Sequence, residues 1–183
     1  GDLGFQSGDG IVLLFDLVLQ VNIEQLGLLQ RFQRVDGGVE LADVTVQICK
    51  VLAELACKLW PGHTVQELQS ELEQIARKPD AAFFIAYGQQ IPIGFAQCQL
   101  RHDYVEGTDH SPVGYLEGIY VKEAFRCRGI AKALLKACEA WAADMGCKEF
   151  ASDCELTNTV SQQFHTALGF REANRIVCFV KQL

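Results

Sequence analysis

One junction between a strand and a helix constrains the fold more than any other part of this sequence. VGYLEGIYV, residues 113–121, is a mostly apolar stretch typical of a strand, and ALLKACEAW lies in a helical pattern over about residues 131–145. FRCRGIA, residues 125–131, joins them. A helix N-terminus has unpaired N–H groups and partial positive charge, a glycine there admits an anion, and the two arginines add forked donors. The junction therefore predicts either a pyrophosphate site or a solvated basic turn.

Two helices are predicted ahead of this junction. VELADV, residues 39–44, is a candidate first strand, and the apolar spacing over 44–59 then predicts a helix. Asp43 is its candidate N-cap, and Pro61 follows its end. The second helix begins with a capping-box pattern at Thr64 and Glu67. Its apolar stripe consists of Val65, Leu68, Leu72 and Ile75.

The remaining patterns predict strands and helices around one sheet. Residues 81–100 are typical of two strands joined by a tight turn at 88–90, and a polar loop, RHDYVEGTDHSP, follows. KEFASD predicts another strand, TNTVSQQFHTALGF a helix that ends at Gly169, and RIVCFVK a last strand. The helix of the junction has a predicted buried face of Leu134, Cys138, Trp141 and Met145, and Gly146 ends it. The expected class is α+β, with a mostly antiparallel twisted sheet flanked by helices.

Composition limits the binding partners and the cellular compartment that we expect for this chain. The net charge is -7, so a nucleic-acid partner is not expected and a cationic partner is favoured. The eight cysteines form no metal or redox pattern and indicate reduced thiols, as in the cytoplasm. The apolar run at residues 11–21 is too short to span a bilayer, so no membrane partner is expected. We predict an N-terminal extension over 1–37 and one domain over 38–183.

Five motifs in order carry a family resemblance. Arg-x-x-Gly-x-Ala after LEGIYV resembles the acetyl-CoA pyrophosphate loop of the GNAT N-acetyltransferase superfamily. LWPGHT, DYVEGTDHSPVGYLEGIYV, FRCRGIA, EFASDCELTN and FHTALGF together resemble its branch of aminoglycoside 6′-N-acetyltransferases, over roughly residues 38–183. The resemblance implies the GNAT fold, acetyl-CoA as co-substrate, no metal, an aminoglycoside as acceptor and antibiotic resistance as the outcome. Many enzymes of this branch are homodimers.

The resemblance also implies a donor site. Residues 118–121 of the predicted strand would pair with the pantetheine arm. Gly118 suits the bulge at which this strand separates from its neighbour. In many GNATs a tyrosine seven residues after an asparagine assists the leaving thiolate, and His165 occupies that position here. The expected cofactor-binding residues are Ile119, Val121, Arg126, Arg128, Gly129, Ile130, Ala131, Asn158 and His165.

An acidic acceptor site is implied on the other side of the thioester. Acids suit a cationic amine, which must lose a proton before it attacks the thioester directly. Asp153 and Glu117 are the expected catalytic residues. We expect Asp153 near the reactive amine, and Glu117 either on further ammonium groups or relaying the proton through water; the exchanged assignment stays open. The expected substrate-binding residues are Trp60, Tyr104, Glu117, Asp153 and Glu155. Two other hypotheses remain: a GNAT acting on another polyamine or on protein amines, and a CoA-binding module without catalysis.

Overall fold

The computed structural model describes residues 17–21 and 41–183, and the side chains from residue 46 onward. Its strands are β1 (Leu17–Val21), β2 (Ala81–Gly88), β3 (Ile91–Arg101), β4 (Val113–Val121) and β5 (Phe150–Ser152). Its α-helices are α1 (Leu41–Leu59), α2 (Val65–Ile75), α3 (Ile130–Asp144) and α4 (Thr159–Ala167), and a 3₁₀ turn covers Glu123–Phe125.

The described strands form one sheet in the order β1-β2-β3-β4-β5. The first three pairings are antiparallel, and only β4 and β5 run parallel. This arrangement confirms the predicted α+β class with a mostly antiparallel sheet. The strand β1 lies within the segment that we predict as an N-terminal extension, and it pairs with β2 over Leu17–Val21. The division near residue 37 stays a prediction.

Apolar side chains cover both faces of the sheet, because successive residues of a strand point to opposite sides. On one face Phe83, Ile85 and Phe95 pack with α1 and α2. On the other face Phe84 and Cys98 pack with α3, whose buried residues include Leu134, Cys138 and Trp141. Burying each large side chain contributes roughly 1.5–3 kcal/mol, so both helical layers are held firmly against the sheet. The prediction of a buried Met145 is wrong, since the last turn of α3 leaves it 38% exposed.

Local signals in the sequence are confirmed at four places. Thr64 Oγ1 accepts from the Glu67 N–H at 3.2 Å, and Glu67 Oε2 accepts from the Thr64 N–H at 2.8 Å, which completes the capping box of α2. The turn at 88–90 joins β2 to β3 as predicted. Gly146 and Gly169 adopt positive φ just after α3 and α4, where both helices were expected to end.

Two predicted strands are not strands in the structure. Residues 41–44 of the first one belong to α1, so Asp43 lies inside that helix instead of capping it; Leu and Ala favour a helix there. Residues 39 and 40 lie outside the described residues. Residues 175–181 form no described strand. Their β-branched residues suit a sheet, but strand propensity needs a pairing partner, and the described part of the chain provides none.

No described helix has the length and hydropathy that a membrane crossing requires.

Candidate active site

A β-bulge in β4 shapes the site. Leu116 pairs with Cys98 and Gly118 pairs with Gln97, so Glu117 has no counterpart on β3. Such an extra residue bends a strand and redirects its side chains. The bulge confirms the expectation for this glycine, and it places the predicted carboxylate at the point where the strand bends.

The far edge of β4 is open beyond the bulge. The pairing between β4 and β5 covers only Gly114–Leu116, and Ser152 Oγ closes it by donating to the Leu116 carbonyl at 3.1 Å. Residues 117–121 therefore have no described strand on that side, although β3 pairs with them on the other. An unpaired edge can accept a ligand that carries amide groups. The predicted positions Ile119 and Val121 lie on this stretch.

The loop from β4 to α3 has the geometry of an anion site. Cys127 and Gly129 both have positive φ, 58° and 81°, and Gly129 is the residue before the first turn of α3. No side chain caps that turn, so its first N–H groups lack a side-chain partner. Arg126 and Arg128 are exposed on either side, and Arg126 Nε donates to the Val121 carbonyl at 3.0 Å. Ile130 and Ala131 belong to the first turn itself.

Four polar and aromatic side chains form one chain of contacts, which we call the acidic cluster: Arg101, Glu117, Tyr115 and Asp153. Arg101 donates through Nη2 to both oxygens of Glu117 at 3.0 and 3.1 Å, and through Nε to Oε1 at 3.2 Å. Its guanidinium lies over the Tyr115 ring, 3.5 Å from the ring centre. The Tyr115 hydroxyl donates to Asp153 Oδ1 at 2.7 Å. The structure thus connects the two carboxylates that the sequence predicts as catalytic.

The cluster shifts the ionisation of its members. Burial and the hydrogen bond to Asp153 raise the pKa of Tyr115 far above its ordinary value, so its hydroxyl stays protonated and remains a donor. Burial lowers the pKa of Arg101, but the hydrogen bonds and charge of Glu117 outweigh burial, and the net shift is upward. The Arg101 side chain therefore remains cationic throughout the working range of an enzyme.

Trp60 stands next to the bulge. A Cβ built on Gly118 would lie 2.8 Å and 2.9 Å from two atoms of the Trp60 ring, so only glycine leaves room for this indole. The same ring meets Phe95 edge-on, with centroids 6.2 Å apart. The half-buried Trp60 therefore packs against Gly118, which directly follows Glu117 in β4.

The polar loop over residues 102–112 borders this region. Glu149 anchors it, because its Oε2 accepts from the N–H groups of Asp109 and His110 at 2.9 and 2.7 Å and lies 2.9 Å from His110 Nδ1. Tyr104 on this loop is 78% exposed and donates to Glu106 at 3.1 Å. Tyr104 and the exposed Glu155 lie outside the acidic cluster in the described structure, and their predicted contacts with substrate stay predictions.

Asn158 and His165 have structural partners in α4. Asn158 Oδ1 caps this helix by accepting from the Ser161 N–H at 3.0 Å. His165 Nδ1 lies 2.7 Å from the Ser161 carbonyl, which fixes Nδ1 as the donor. Its buried Nε2 has no described hydrogen-bond partner. The predicted roles of both residues toward CoA stay predictions.

Two members of the acidic cluster, Arg101 and Tyr115, are not among the site residues that the sequence predicts. The signal for Tyr115 is its position two residues before Glu117 on one strand, because such residues share a face. The signal for Arg101 is weaker. Its contact depends on how β3 pairs with β4, and no local pattern encodes that pairing.

The chain belongs to the acetyltransferase (GNAT) family, whose sequence model matches residues 48–170. Among characterised relatives, the aminoglycoside N(6′)-acetyltransferase type 1 of Salmonella typhimurium is 46% identical over 125 residues, which is 68% of this chain and 86% of the relative. The enzyme of the same name from Acinetobacter haemolyticus is 41% identical over 130 residues, 71% and 89% of the two chains.

Solved structures agree with this family and with the predicted fold. The aminoglycoside N-acetyltransferase AAC(6′)-Iy in complex with CoA is 36% identical, with a TM-score of 0.75 over 91% of this chain and 95% of that one. The same enzyme with a bisubstrate analogue, CoA-S-monomethyl-acetylneamine, is 43% identical, with a TM-score of 0.71 over 74% and 92% of the two chains.

Proposed function

We propose that this chain transfers the acetyl group of acetyl-CoA to the 6′-amine of aminoglycoside antibiotics and thereby confers resistance. The observation that carries the proposal is the acidic cluster beside the open edge of β4. The cluster offers two carboxylates to a cationic amine, and the edge offers backbone groups to the arm that delivers the acetyl group. Relatives above 40% identity with this activity support the choice of acceptor.

The donor lies along β4 and over the start of α3 in this proposal. The pantetheine amides pair with the edge near Ile119 and Val121, and the pyrophosphate sits on the first N–H groups of α3 between Arg126 and Arg128. Gly129 supports this position because a Cβ there would meet open space, so the loop is uncrowded on that side. Asn158 and His165 border the donor from α4.

The acceptor lies on the side of the acidic cluster. Trp60 provides an aromatic wall for a sugar ring, and Glu117 holds ammonium groups. Both Glu117 oxygens already accept from Arg101, whereas the exposed Asp153 accepts from Tyr115 through one oxygen. We therefore assign Asp153 as the base. Tyr104 and Glu155 complete the rim of the acceptor site.

The reaction proceeds by direct attack. Asp153 takes a proton from the 6′-ammonium, and the freed amine nitrogen forms a bond to the thioester carbonyl carbon. A backbone N–H at the bent part of β4 stabilises the developing oxyanion. The C–S bond then breaks, the nitrogen loses its second proton as the amide forms, and the thiolate of CoA takes up that proton. Asp153 releases the first proton to solvent before the next turnover.

The test follows release of free thiol from acetyl-CoA with kanamycin, tobramycin or spermidine. Asp153→Asn should lower kcat by about a hundredfold or more, as the loss of a general base does, and leave acetyl-CoA binding intact. Asp144→Asn, at the exposed end of α3, is the matched control and should change neither. Turnover of spermidine alone would contradict the proposed acceptor, and CoA binding without turnover of any amine would contradict the proposed activity.

We also propose that two copies of the chain associate. The support is the carboxyl-terminal segment 175–181, in which Ile176, Val177, Phe179 and Val180 are 70–98% exposed. Several exposed apolar side chains in one short segment are typical of an interface, and a second copy is the partner present at equal concentration. A mass of one chain, 20.3 kDa, by light scattering at micromolar concentration would contradict this proposal.

The remaining parts of the proposal concern location and other partners. All eight cysteines, at positions 49–178, are free thiols, which supports a cytoplasmic location. The net charge of -7 supports the absence of nucleic-acid and anionic membrane partners, because both need a basic surface. Residues 1–37 remain a proposed extension to the catalytic domain at 38–183.

A further inference from the structure

Arg101 is the one cation of the acidic cluster, and the proposed chemistry does not use it. It is the last residue of β3, and its guanidinium reaches across to β4. There it contacts both Glu117 oxygens at 3.0 and 3.1 Å. The Arg101 side chain is 38% exposed and that of Glu117 is 23% exposed. A forked contact of this kind fixes the orientation of a carboxylate as well as its position.

The same guanidinium also fixes the Tyr115 ring. It lies 3.5 Å from the ring centre, close enough for face-on stacking of a planar cation. Tyr115 is 7% exposed and packs with Val105 and Val113, so its ring is enclosed from the side of the polar loop as well. Its hydroxyl ends 2.7 Å from Asp153 Oδ1. Arg101 therefore contacts one carboxylate directly and reaches the other through this ring.

We infer that Arg101 is a positioning residue, which orients Glu117 by a forked ion pair and Asp153 through the Tyr115 ring. This inference rests on the proposed function. Both Glu117 oxygens accept from the guanidinium, so only their remaining lone pairs are left to anchor ammonium groups. Asp153, which accepts from Tyr115 through one oxygen, takes the proton. Arg101 thus gives two chemically similar carboxylates different roles: Glu117 binds the substrate, and Asp153 acts as the base.

The division predicts separate effects on the two kinetic constants. Arg101→Met removes both contacts, so it should raise the KM for the antibiotic through Glu117 and lower kcat through Asp153. The combined loss in kcat/KM should be at least about tenfold, the range of a charge-assisted hydrogen bond. The KM for acetyl-CoA should stay within about twofold, which also shows that the variant is folded. Arg77→Met, which removes an exposed arginine after α2, is the matched control and should match the wild type.

Two further variants separate position from charge. Arg101→Lys keeps the charge but has neither the fork nor the planar face, so it should resemble Arg101→Met. Tyr115→Phe keeps the ring and removes the hydroxyl, so it should lower kcat alone. In the Tyr115→Phe background, Arg101→Met should then change only KM, because the connection to Asp153 is already lost.

Each outcome separates this inference from the proposed function. A wild-type chain that turns over no 6′-amino acceptor contradicts the proposed function and removes the role of Arg101 with it. Wild-type turnover with an unchanged Arg101→Met variant overturns the inference alone. Wild-type kinetics for Arg101→Lys would also overturn it, because charge without orientation would then be sufficient. Full additivity of Arg101→Met and Tyr115→Phe in kcat would overturn the connection to Asp153.

Discussion

The packing of Trp60 against the bulge predicts a measurable cost for a single methyl group. In Gly118→Ala the new Cβ would lie 2.8 Å from the indole, and ordinary contact begins near 3.4 Å, so the ring must retreat by about 0.6 Å. Leu59, at 3.0 Å, limits that retreat on one side. Overpacking of this kind costs about 1–3 kcal/mol, and we expect the lower half of the range because half-buried Trp60 can move toward solvent.

The assay combines urea unfolding with steady-state kinetics. Gly118→Ala should lower the unfolding midpoint without changing the denaturant slope, and it should raise the KM for the antibiotic more than the KM for acetyl-CoA. Gly62→Ala is the matched control, since a Cβ there meets nothing within 4 Å. Its free energy of unfolding should stay within about 0.5 kcal/mol of the wild type. Equal destabilisation by the two substitutions would refute the steric reasoning.

Two further predictions concern the donor loop and the polar loop. Arg128→Ala should raise the KM for acetyl-CoA about tenfold and leave the KM for the antibiotic unchanged, whereas exposed Lys136→Ala should change neither constant. The His110 ring and backbone N–H groups lower the pKa of Glu149 below its ordinary 4.5, so its stabilising effect is full above pH 4.5 and is lost as the pH falls through the lowered value. Glu149→Gln should therefore flatten the fall of Tm with acidification, and a fall as steep as that of the wild type would contradict this anchor.

Periodic segments and local caps could be predicted from the sequence because neighbours along the chain determine them. The capping box of α2 and the bounds of β4 depend on residues a few positions apart, and both are confirmed. The first predicted strand is wrong because a short apolar run such as 39–44 fits both the helical and the strand periodicity. Four of its residues extend α1. The last predicted strand fails because propensity alone supplies no partner for residues 175–181.

The sequence supplies candidate residues for the site, and it does not supply the contacts that connect them. Glu117 and Asp153 are separated along the chain, and the structure connects them through Arg101 and Tyr115, which are not among the predicted site residues. That connection depends on the pairing of β3 with β4 and on one unpaired residue in the bulge. A shift of one position in this pairing would turn Glu117 to the opposite face, and local sequence patterns do not determine it.

The loop at Cys127 has a consequence for how such an enzyme can evolve. Its shape comes from two residues with positive φ, and in the proposed donor site backbone N–H groups bind the anion together with two arginines. The proposed acceptor site, by contrast, consists of side chains just after α1, on the polar loop, on β4 and after β5. Substitutions selected by a new antibiotic can therefore accumulate on the acceptor side while the capacity to use the common metabolic donor is inherited unchanged.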